Sequence, residues 1–363
     1  MKKKNIFWKN PIILLGFIIV FSISCQEEDI KITHNRFELV SGENQIALEE
    51  STLKDAIEFV VKDEQGNAIE GVSVVFTTSD GSVSKRNSTT NSDGKVSITW
   101  TLGANEGIQL LTAVSFESDG VTHLVGSPIE IPATSAPRSA TDIDGNLYNV
   151  VVIGKQIWMK ENLRVTHYPD GTEIPHVIDK TVWGNLDFND GAFCYPNNNS
   201  AEAKTLGALY TWAAAMGKSA NSSNTNPSGV QGICPTGWHL PSVAEWTEMN
   251  DYLENNGYGY EGSGDDIGKS MAETYGWFTS STIGAVGYDL ATNNKSGFSG
   301  LPSGIRGANT GAFFAMGRHA GWWSSTELDT EKVYGNEIDY NFSYSFKNNL
   351  NKKYGMSVRC IKD

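Results

Sequence analysis

A strict alternation of apolar and polar residues constrains the first third of the chain more than any other feature. In the run VSITWTL, the apolar side chains Val96, Ile98, Trp100 and Leu102 are separated by polar residues. A strand that is buried on one face requires this period of two, because successive side chains point to opposite faces. The alternation recurs in three more segments, at Ile57, Phe59 and Val61, at Val72, Val74 and Phe76, and at Ile108, Leu110, Thr112, Val114 and Phe116.

Turn signals separate these segments and set the fold class of residues 36–133. They are Gln65-Gly66-Asn67, Asp80-Gly81, Asp93-Gly94 and Asp119-Gly120. Short strands at this spacing, without a long helical stretch, predict an all-β sandwich. The runs VVKDEQGNAIEGVSVVFTTSDG and TNSDGKVSITWTLG resemble bacterial immunoglobulin-like domains of the invasin and intimin type. That resemblance implies a spacer, in some proteins an adhesive one, and packing alone must hold the sheets because the segment lacks cysteine.

The start of the chain predicts a leader, residues 1–24. A basic start with four lysines precedes the apolar run 11–23, which small residues end just before Cys25. The pattern resembles the signal of bacterial lipoproteins, which implies cleavage before Cys25 and a lipid on that residue. An uncleaved membrane anchor is the alternative, although the run is short for a transmembrane helix.

Residues 25–35 read as an acidic tether. The run QEEDI after Cys25 resembles the export signal that sends lipoproteins of Bacteroidetes-type bacteria to the outer face of the cell. Loss of 1–24 removes four lysines and no acid, so the net charge falls from −14 to −18. Such an acidic surface argues against nucleic acid or anionic lipid as a partner. We expect a lipid-anchored protein of the bacterial outer membrane, exposed on the cell surface.

Composition changes after a Pro-, Ala- and Ser-rich stretch, which predicts a linker at 134–140 and a second module at 141–363, here called the head. Eight of the ten tryptophans lie after position 150. Within the head, CPTGWHLPSVAEWTEM (234–249) contains a capping box, Ser242 with Glu245, that predicts a helix ending at Asn256-Gly257. Helical spacing places Trp246 and Met249 in a core.

His239 is the one residue of this stretch that suggests metal chemistry. The six histidines are scattered, and the sequence has no HExxH or CxxC motif. We therefore interpret His239 as a partly buried, hydrogen-bonded residue at the start of the helix.

Three cysteines remain after the leader. An oxidising compartment predicts one disulfide and one remaining thiol. A Cys234–Cys360 bond would tie the start of the helix to the last strand, and Cys194 would stay free.

Six motifs in order give the head a specific resemblance. They are TDIDGNLYNVVVIGKQIWMKENL, LGALYTWAAAM, CPTGWHLPSVAEW, GFSGLPSGIRG, GWWSSTE and SVRCIKD. Together they resemble the major paralogous domain family named after Fibrobacter succinogenes (FISUMP), whose members are lipoproteins or secreted surface proteins. The GWHLP…EW helix and the WWSS strand also resemble the C-type-lectin-like fold. The expected architecture is an all-β immunoglobulin-like sandwich followed by an α+β C-type-lectin-like domain.

The activities of other proteins with this fold, and calcium binding by an EF-hand, depend on short motifs that can be looked for in the sequence. Calcium-dependent lectins use EPN or QPD and WND triplets, and none of these occurs. Formylglycine-generating enzymes use a cysteine pair at the site, whereas Cys194 stands alone in FCYPNNN. DIDGN (142–146) departs from an EF-hand start, since its Gly is fourth rather than sixth. We expect no cofactor, no metal site and no catalytic residue; calcium lacks a supporting motif.

The region 257–322 is rich in Gly, Asn and aromatic residues, which suits long binding loops. The ligand-binding candidates are Trp277, Tyr288, Arg306, Phe313, His319 and Trp322. Including Phe278 and Phe314, we expect more than half of these residues to be buried, and at most one of Trp322 and Trp323 to be exposed.

The predicted function is a non-enzymatic binding or adhesion head on an immunoglobulin-like stalk, with an extracellular glycan or protein as ligand. One alternative is an enzyme, either a hydrolase or a relative of the formylglycine-generating enzymes. A further alternative is a structural subunit of a surface layer or fimbria.

Overall fold

The computed structural model describes residues 35–217, 219, 221–262 and 264–363. The predicted leader, the lipid-acceptor Cys25 and all of the acidic tether except residue 35 lie outside the described residues. None of the helices in the described part of the chain has the length and apolar character needed to cross a bilayer.

The N-terminal module (36–133) is built from strands alone. Its strands are β1 (Arg36–Ser41), β2 (Ile46–Leu48), β3 (Ile57–Lys62), β4 (Ser73–Thr78), β5 (Ser82–Val83), β6 (Asn87–Thr89), β7 (Lys95–Ile98), β8 (Trp100–Thr101), β9 (Gly107–Ser115) and β10 (Ile129–Ala136). One sheet has the order β1-β3-β7, a second has the order β2-β10-β9-β4-β6, and β5 pairs with β8. Pairing is antiparallel except between β10 and β2, which are parallel.

Apolar side chains from both sheets meet in one core. Phe37 stacks on Phe59, with ring centroids 5.2 Å apart, and Phe59 meets Phe76 at an angle of 42°, with ring centroids 5.6 Å apart. The alternation at 96–102 is confirmed, since all four of its apolar side chains are buried. The Asp80-Gly81 turn is also tight: Gly81 has φ +77°, and a Cβ there would lie 2.2 Å from the carbonyl oxygen of Thr101.

Strand β9 has the opposite orientation to the one its apolar residues suggest. Ile108 is 76% exposed and Leu110 is 37% exposed, whereas Gln109, Leu111 and Ala113 are buried. The amide of Gln109 is satisfied, because it accepts from the backbone N–H of Gly103 and donates to the carbonyl oxygen of Asn105. Pairing with β4 and β10 decides which face is buried, and this pairing overrides the apolar pattern of a single strand.

The predicted linker at 134–140 is instead structured. Strand β10 continues to Ala136, and only Pro137 and Arg138 separate it from the first strand of the head. Ala136 is buried in a core of the head, against which Ile46 and Leu48 of β2 also pack. Arg138 Nη2 donates to the carbonyl oxygen of Glu49. The two modules therefore meet in a packed junction.

The head combines short strands with one long helix. Its strands are β11 (Ser139–Thr141), β12 (Leu147–Ile153), β13 (Gln156–Met159), β14 (Phe193–Cys194), β15 (Leu209–Tyr210), β16 (Trp238–His239), β17 (Ile305–Arg306), β18 (Phe313–Phe314), β19 (His319–Glu327), β20 (Lys332–Asp339), β21 (Phe346–Asn351) and β22 (Ile361–Lys362). Its helices are α1 (Lys180–Gly184), α2 (Ala203–Leu206), α3 (Trp212–Ala215), α4 (Val243–Asn255) and α5 (Gly268–Met271). The main sheets have the orders β11-β12-β13-β22-β16 and β19-β20-β21.

The predicted helix is confirmed as α4. Ser242 Oγ accepts from the N–H of Glu245 at 3.2 Å, and Glu245 Oε2 accepts from the N–H of Ser242 at 2.8 Å, so the capping box is complete. Trp246 and Met249 are buried against the sheets. The structure also contains the predicted disulfide between Cys234 and Cys360, whose Cα atoms are 5.9 Å apart, while Cys194 is free and buried.

Strand β19 lies between two cores. Trp322 faces the core that contains Trp158 and Trp246, whereas Trp323 faces the core around Tyr210 and Met356. Both indoles are 0% exposed. Because neighbouring side chains point in opposite directions, a strand with apolar packing on both faces buries two consecutive tryptophans. At most one of the two was expected to be exposed, and neither is.

Candidate functional site

Four of the six ligand-binding candidates are buried in the head, and this corrects their assignment as surface contacts. Trp277, Arg306, His319 and Trp322 are at most 8% exposed, while Tyr288 and Phe313 are partly buried. When Phe278 and Phe314 are included, four of the eight residues are buried, whereas more than half were expected to be. The indole N–H of Trp277 donates to the carbonyl oxygen of Gly300, and that of Trp322 donates to Asn162 Oδ1 at 2.8 Å.

Arg306 holds loops together from inside the fold. Its guanidinium donates to the carbonyl oxygens of Gly311, Val177 and Ile178. The same group lies 4.3 Å from the ring of Trp183 and 4.9 Å from that of Phe313. Arg306 and Phe313 are therefore used by the fold and do not form a binding surface.

His319 is also an interior residue. Its Nε2 lies 3.4 Å from a carboxylate oxygen of Glu337 on the neighbouring strand β20, and its Nδ1 has no hydrogen-bond partner among the described residues. A second histidine, His239, has both ring nitrogens engaged: Nε2 lies 2.6 Å from Glu245 Oε1 and Nδ1 lies 2.6 Å from Asp363 Oδ1. Burial disfavours the charged imidazole, but the hydrogen bonds and charges of the two carboxylates outweigh it, so the pKa of His239 is raised.

Lys269, on α5, anchors one loop of the region 257–322, the loop 288–293. Its buried ammonium donates to the carbonyl oxygens of Tyr288 and Asp289 and to Asn293 Oδ1. Burial lowers the pKa of this ammonium. Three hydrogen bonds from one side chain fix the loop 288–293 against α5, so that loop is pre-organised.

The loop fixed by Lys269 and the segment 258–261 line an open cavity of about 330 Å³, here called the tyrosine pocket. Its lining residues are Tyr258, Gly259, Tyr260, Glu261, Lys269, Ser270, Asp289, Thr292 and Lys295. Tyr260 is 36% exposed and meets Tyr288 edge-on at 6.4 Å. Lys295 Nζ donates to the carbonyl oxygen of Gly257 at 2.6 Å and lies 5.7 Å from the ring centroid of Tyr258. The pocket thus combines aromatic rings with both signs of charge.

A second cavity of about 330 Å³, here called the Arg359 pocket, shares no lining residue with the first. Its lining residues are Lys160, Glu161, Asn162, Lys204, Thr205, Glu273, Tyr275, Ser299, Leu301 and Arg359. Burial lowers the pKa of the Arg359 guanidinium to about 9, an effect that the charges of Glu161 and Glu273 partly oppose. Tyr275 is 54% exposed.

Among the described residues, no group of three or more His, Cys, Asp or Glu side chains is arranged to hold a metal ion. Cys194 does not have the environment of a reactive thiol, since burial raises its pKa to about 11.

Comparison with known proteins identifies the family of the head. The model of the Fibrobacter succinogenes major domain matches residues 151–362, which is more than half of the chain. The chain belongs to the Fibrobacter succinogenes major domain family. Residues 43–121 match the bacterial Ig-like domain (group 1), so the resemblances of the head to the Fibrobacter succinogenes family and of the N-terminal module to bacterial Ig-like domains are confirmed. No curated protein matches the chain.

Solved structures with detectable similarity include bacterial adhesins. The D0-D1 domain of intimin is 22% identical, covers 28% of this chain and 47% of its own length, and has a TM-score of 0.20. Invasin, a bacterial integrin-binding protein, is 19% identical over 35% of this chain and 25% of its own length, with a TM-score of 0.21. The Yersinia pseudotuberculosis adhesin InvE is 11% identical over 91% of this chain and 70% of its length, with a TM-score of 0.25. The chain spans about half the length of the intimin fragments it matches.

Both cavities lie within the Fibrobacter succinogenes major domain, and none of their lining residues was among the ligand-binding candidates from the sequence. The tyrosine pocket carried one usable signal, the run GYGYEG directly after the end of α4, in which glycines flank two aromatic residues. The Arg359 pocket carried none, because its walls come from segments up to about 200 residues apart.

Proposed function

We propose that this protein is a bacterial surface lipoprotein whose head binds an extracellular glycan. A leader (1–24), a lipid on Cys25 and the acidic tether (25–35) would attach it to the outer membrane. The N-terminal module (36–133) would act as a stalk for the head (141–363), to which we assign a C-type-lectin-like fold. The family matches at 43–121 and 151–362 fall inside these bounds and support the division.

The tyrosine pocket is the observation that carries this proposal. A sugar ring has an apolar C–H face and a rim of hydroxyls, and it is recognised by an aromatic ring next to polar side chains. Tyr258 and Tyr260 supply the rings, and Asp289, Thr292 and Lys295 supply the polar groups. Because Lys269 fixes the loop in advance, little conformational entropy is lost on binding.

The carboxylates that line the two cavities favour binding over hydrolysis, and those of the tyrosine pocket, Glu261 and Asp289, are both exposed. A glycosidase requires two carboxylates that face each other across the scissile bond and differ in protonation. Glu161 and Glu273 line one cavity, but both act as hydrogen-bond acceptors for neighbouring groups of the chain and neither is buried.

A protein ligand is the second candidate, and a cluster of exposed aromatic residues favours it. Phe342 (44% exposed) and Tyr344 (41% exposed) stack at 5.4 Å on the turn between β20 and β21, and Phe278 (48% exposed) lies against Tyr340 at the start of this turn. Exposed aromatic clusters of this kind commonly mark protein interfaces. The outer strand β21 argues against assembly through strand pairing, since Lys347, Asn348 and Asn349 make it polar.

The test is a glycan array probed with the full chain in detergent. Tyr260→Ala should weaken the glycan signal about tenfold, because the ring provides roughly 1–1.5 kcal/mol of stacking. Tyr344→Ala, an exposed tyrosine outside the pocket, is the matched control. Loss of binding in the control alone would move the ligand site to the aromatic turn, and absence of any glycan signal would reject the glycan.

The placement on the cell is tested separately. Protease added to intact cells should remove the head, and Cys25→Ala should abolish incorporation of radiolabelled fatty acid. Protection of the head from protease in intact cells would contradict the surface location, whatever the array shows.

A further inference from the structure

The Arg359 pocket contains a buried cation without a carboxylate partner. Arg359 is 1% exposed, and among the described residues no carboxylate oxygen lies within 4.0 Å of its guanidinium. Four of its five N–H groups have acceptors: two donate to Asn162 Oδ1, one to the carbonyl oxygen of Met159 and one to that of Phe298. One N–H of Nη2 has no acceptor in the described chain. A buried charge of this kind is normally neutralised by a partner.

Two more cations lie at the same cavity. Lys160 and Lys204 both line it, and neither forms an ion pair or a side-chain hydrogen bond with another described residue. Lys204 is exposed and Lys160 is partly buried. A chain with a net charge of −14 therefore places three cations around one cavity of about 330 Å³.

The two carboxylates of the cavity are held away from these cations. Glu161 accepts from the backbone N–H and the side-chain amide of Asn149, at 2.7 Å each. Glu273 accepts from Thr274 and from Asn294 Nδ2. Each carboxylate oxygen has further lone pairs, so both groups can still accept hydrogen bonds from a ligand.

We infer that the Arg359 pocket binds a uronic acid unit of an extracellular polysaccharide. The carboxylate of the sugar pairs with Lys160 and Lys204 in the field of Arg359. The ring hydroxyls donate to Glu161 and Glu273, and the exposed ring of Tyr275 stacks on the apolar face of the sugar. A uronic acid supplies one negative charge and several hydroxyl donors in a single ring, which matches three cations beside two acceptor carboxylates.

An acidic peptide fits this arrangement less well. Its Asp or Glu side chains supply the carboxylate but have no ring to stack on Tyr275, and only backbone N–H groups, not hydroxyls next to the carboxylate, could donate to Glu161 and Glu273. The inference does not depend on the tyrosine pocket, because the two cavities share no lining residue.

Calorimetric titration of the full chain in detergent with tetragalacturonate tests the inference. Its fully methyl-esterified form is the matched ligand, which keeps the sugar rings and their hydroxyls and carries a neutral methyl ester in place of each carboxylate. The acid should bind at least about tenfold more tightly than the ester, since hydrogen bonds to charged groups are the strong ones. Affinity for the acid should also fall as salt rises from about 50 to about 300 mM.

Variants then place the ligand in the pocket. Lys160→Ala and Lys204→Ala should each weaken tetragalacturonate binding about tenfold, with an unchanged melting temperature. Lys155→Ala is the control, because Lys155 is exposed and lines neither cavity.

Three results would overturn the inference. Equal binding of acid and ester, or retained affinity in both lysine variants, would show that the pocket does not select a carboxylate. Loss of tetragalacturonate binding in Tyr260→Ala would place the ligand in the tyrosine pocket. Tetraglutamate binding as tightly as tetragalacturonate would assign the cations to an acidic peptide. None of these results contradicts the glycan proposed for the tyrosine pocket, which the array tests independently.

Discussion

The N-terminal module and the head are stabilised in different ways. Among the described residues of the module (36–133), no charged side chain is buried, and the buried polar side chains are Thr90, Gln109 and Ser115. The described part of the head buries seven side chains of Asp, Glu, Lys or Arg, namely Asp142, Glu245, Lys269, Arg306, Glu337, Lys352 and Arg359. In the module the strands satisfy the backbone, whereas many loop carbonyls in the head have no strand partner and need donors from elsewhere.

Arginine and lysine meet that need efficiently. One guanidinium carries five N–H donors and one ammonium carries three. Arg306 bonds three carbonyl oxygens, and Lys269 bonds two carbonyls and one amide oxygen. The comparison shows that a sheet core follows from local patterning, while an irregular fold depends on individual side chains that join distant loops.

Removing the disulfide should give the largest difference between the two regions. The bond closes a separation of 126 residues, and loop entropy gives it about 4–5 kcal/mol. In the double variant Cys234→Ser with Cys360→Ser, the free energy of unfolding of the head should decrease by this amount. Urea unfolding followed by tryptophan fluorescence measures it, because eight of the ten tryptophans lie in the head. Amide exchange in β3 (Ile57–Lys62) should not change. If the amides of β3 lost as much protection from exchange as those of the head, the two regions would unfold together.

Replacing a buried cation should have the next largest effect. Arg306→Met leaves three carbonyl oxygens without their donor, and we expect a loss of about 3 kcal/mol in the free energy of unfolding. Arg86→Met, at an exposed arginine of the N-terminal module, is the control and should change stability by less than about 0.5 kcal/mol. If both variants are equally stable, the buried cations do not stabilise the head.

The pH dependence of the head should give the smallest effect. Because the pKa of His239 is raised in the folded state, its contribution is complete below the ordinary histidine value of 6.5 and is lost as pH rises through the folded pKa. The urea concentration at the midpoint of unfolding of the head should therefore decrease as the pH is raised from about 5.5 to about 8.

His239→Gln is the control for that measurement. This variant should lose the part of the pH dependence that the imidazole contributes, whereas other titrating groups affect both proteins alike. An identical pH profile in the two proteins would mean that His239 is not charged in the folded state. Asp363→Asn should give an intermediate profile, since one of the two carboxylates remains.

The features that the sequence predicted correctly are those encoded over short distances. The alternation of 96–102 and the capping box of Ser242 and Glu245 involve neighbours within a few residues. The small number of cysteines predicted one disulfide and one free thiol, whereas the pairing of Cys234 with Cys360, 126 residues apart, was inferred from their places at the start of the helix and in the last strand. The face of β9 was the exception, because Ile108 and Leu110 formed a regular apolar pattern whose orientation is set by other strands.

The candidate site was much less predictable. Aromatic residues in glycine-rich loops have the same pattern whether they are exposed or buried, so Trp277 and Trp322 could not be told apart from Tyr258 and Tyr260. Arg359 follows a short strand-like run and precedes Cys360, without a pattern of its own. Its surroundings become apparent only when Asn162 and Phe298 are brought beside it.

The continuity of β10 with β11 also bears on mechanical resistance. A pull between the start of the N-terminal module and the head would act along β10, which is paired with β9 over seven residue pairs and with β2 over three. Force along a strand loads its ladder in shear, so these hydrogen bonds must break together rather than one after another. The junction at Pro137 and Arg138 is too short to stretch first, so tension on the head is transmitted directly into the sheet.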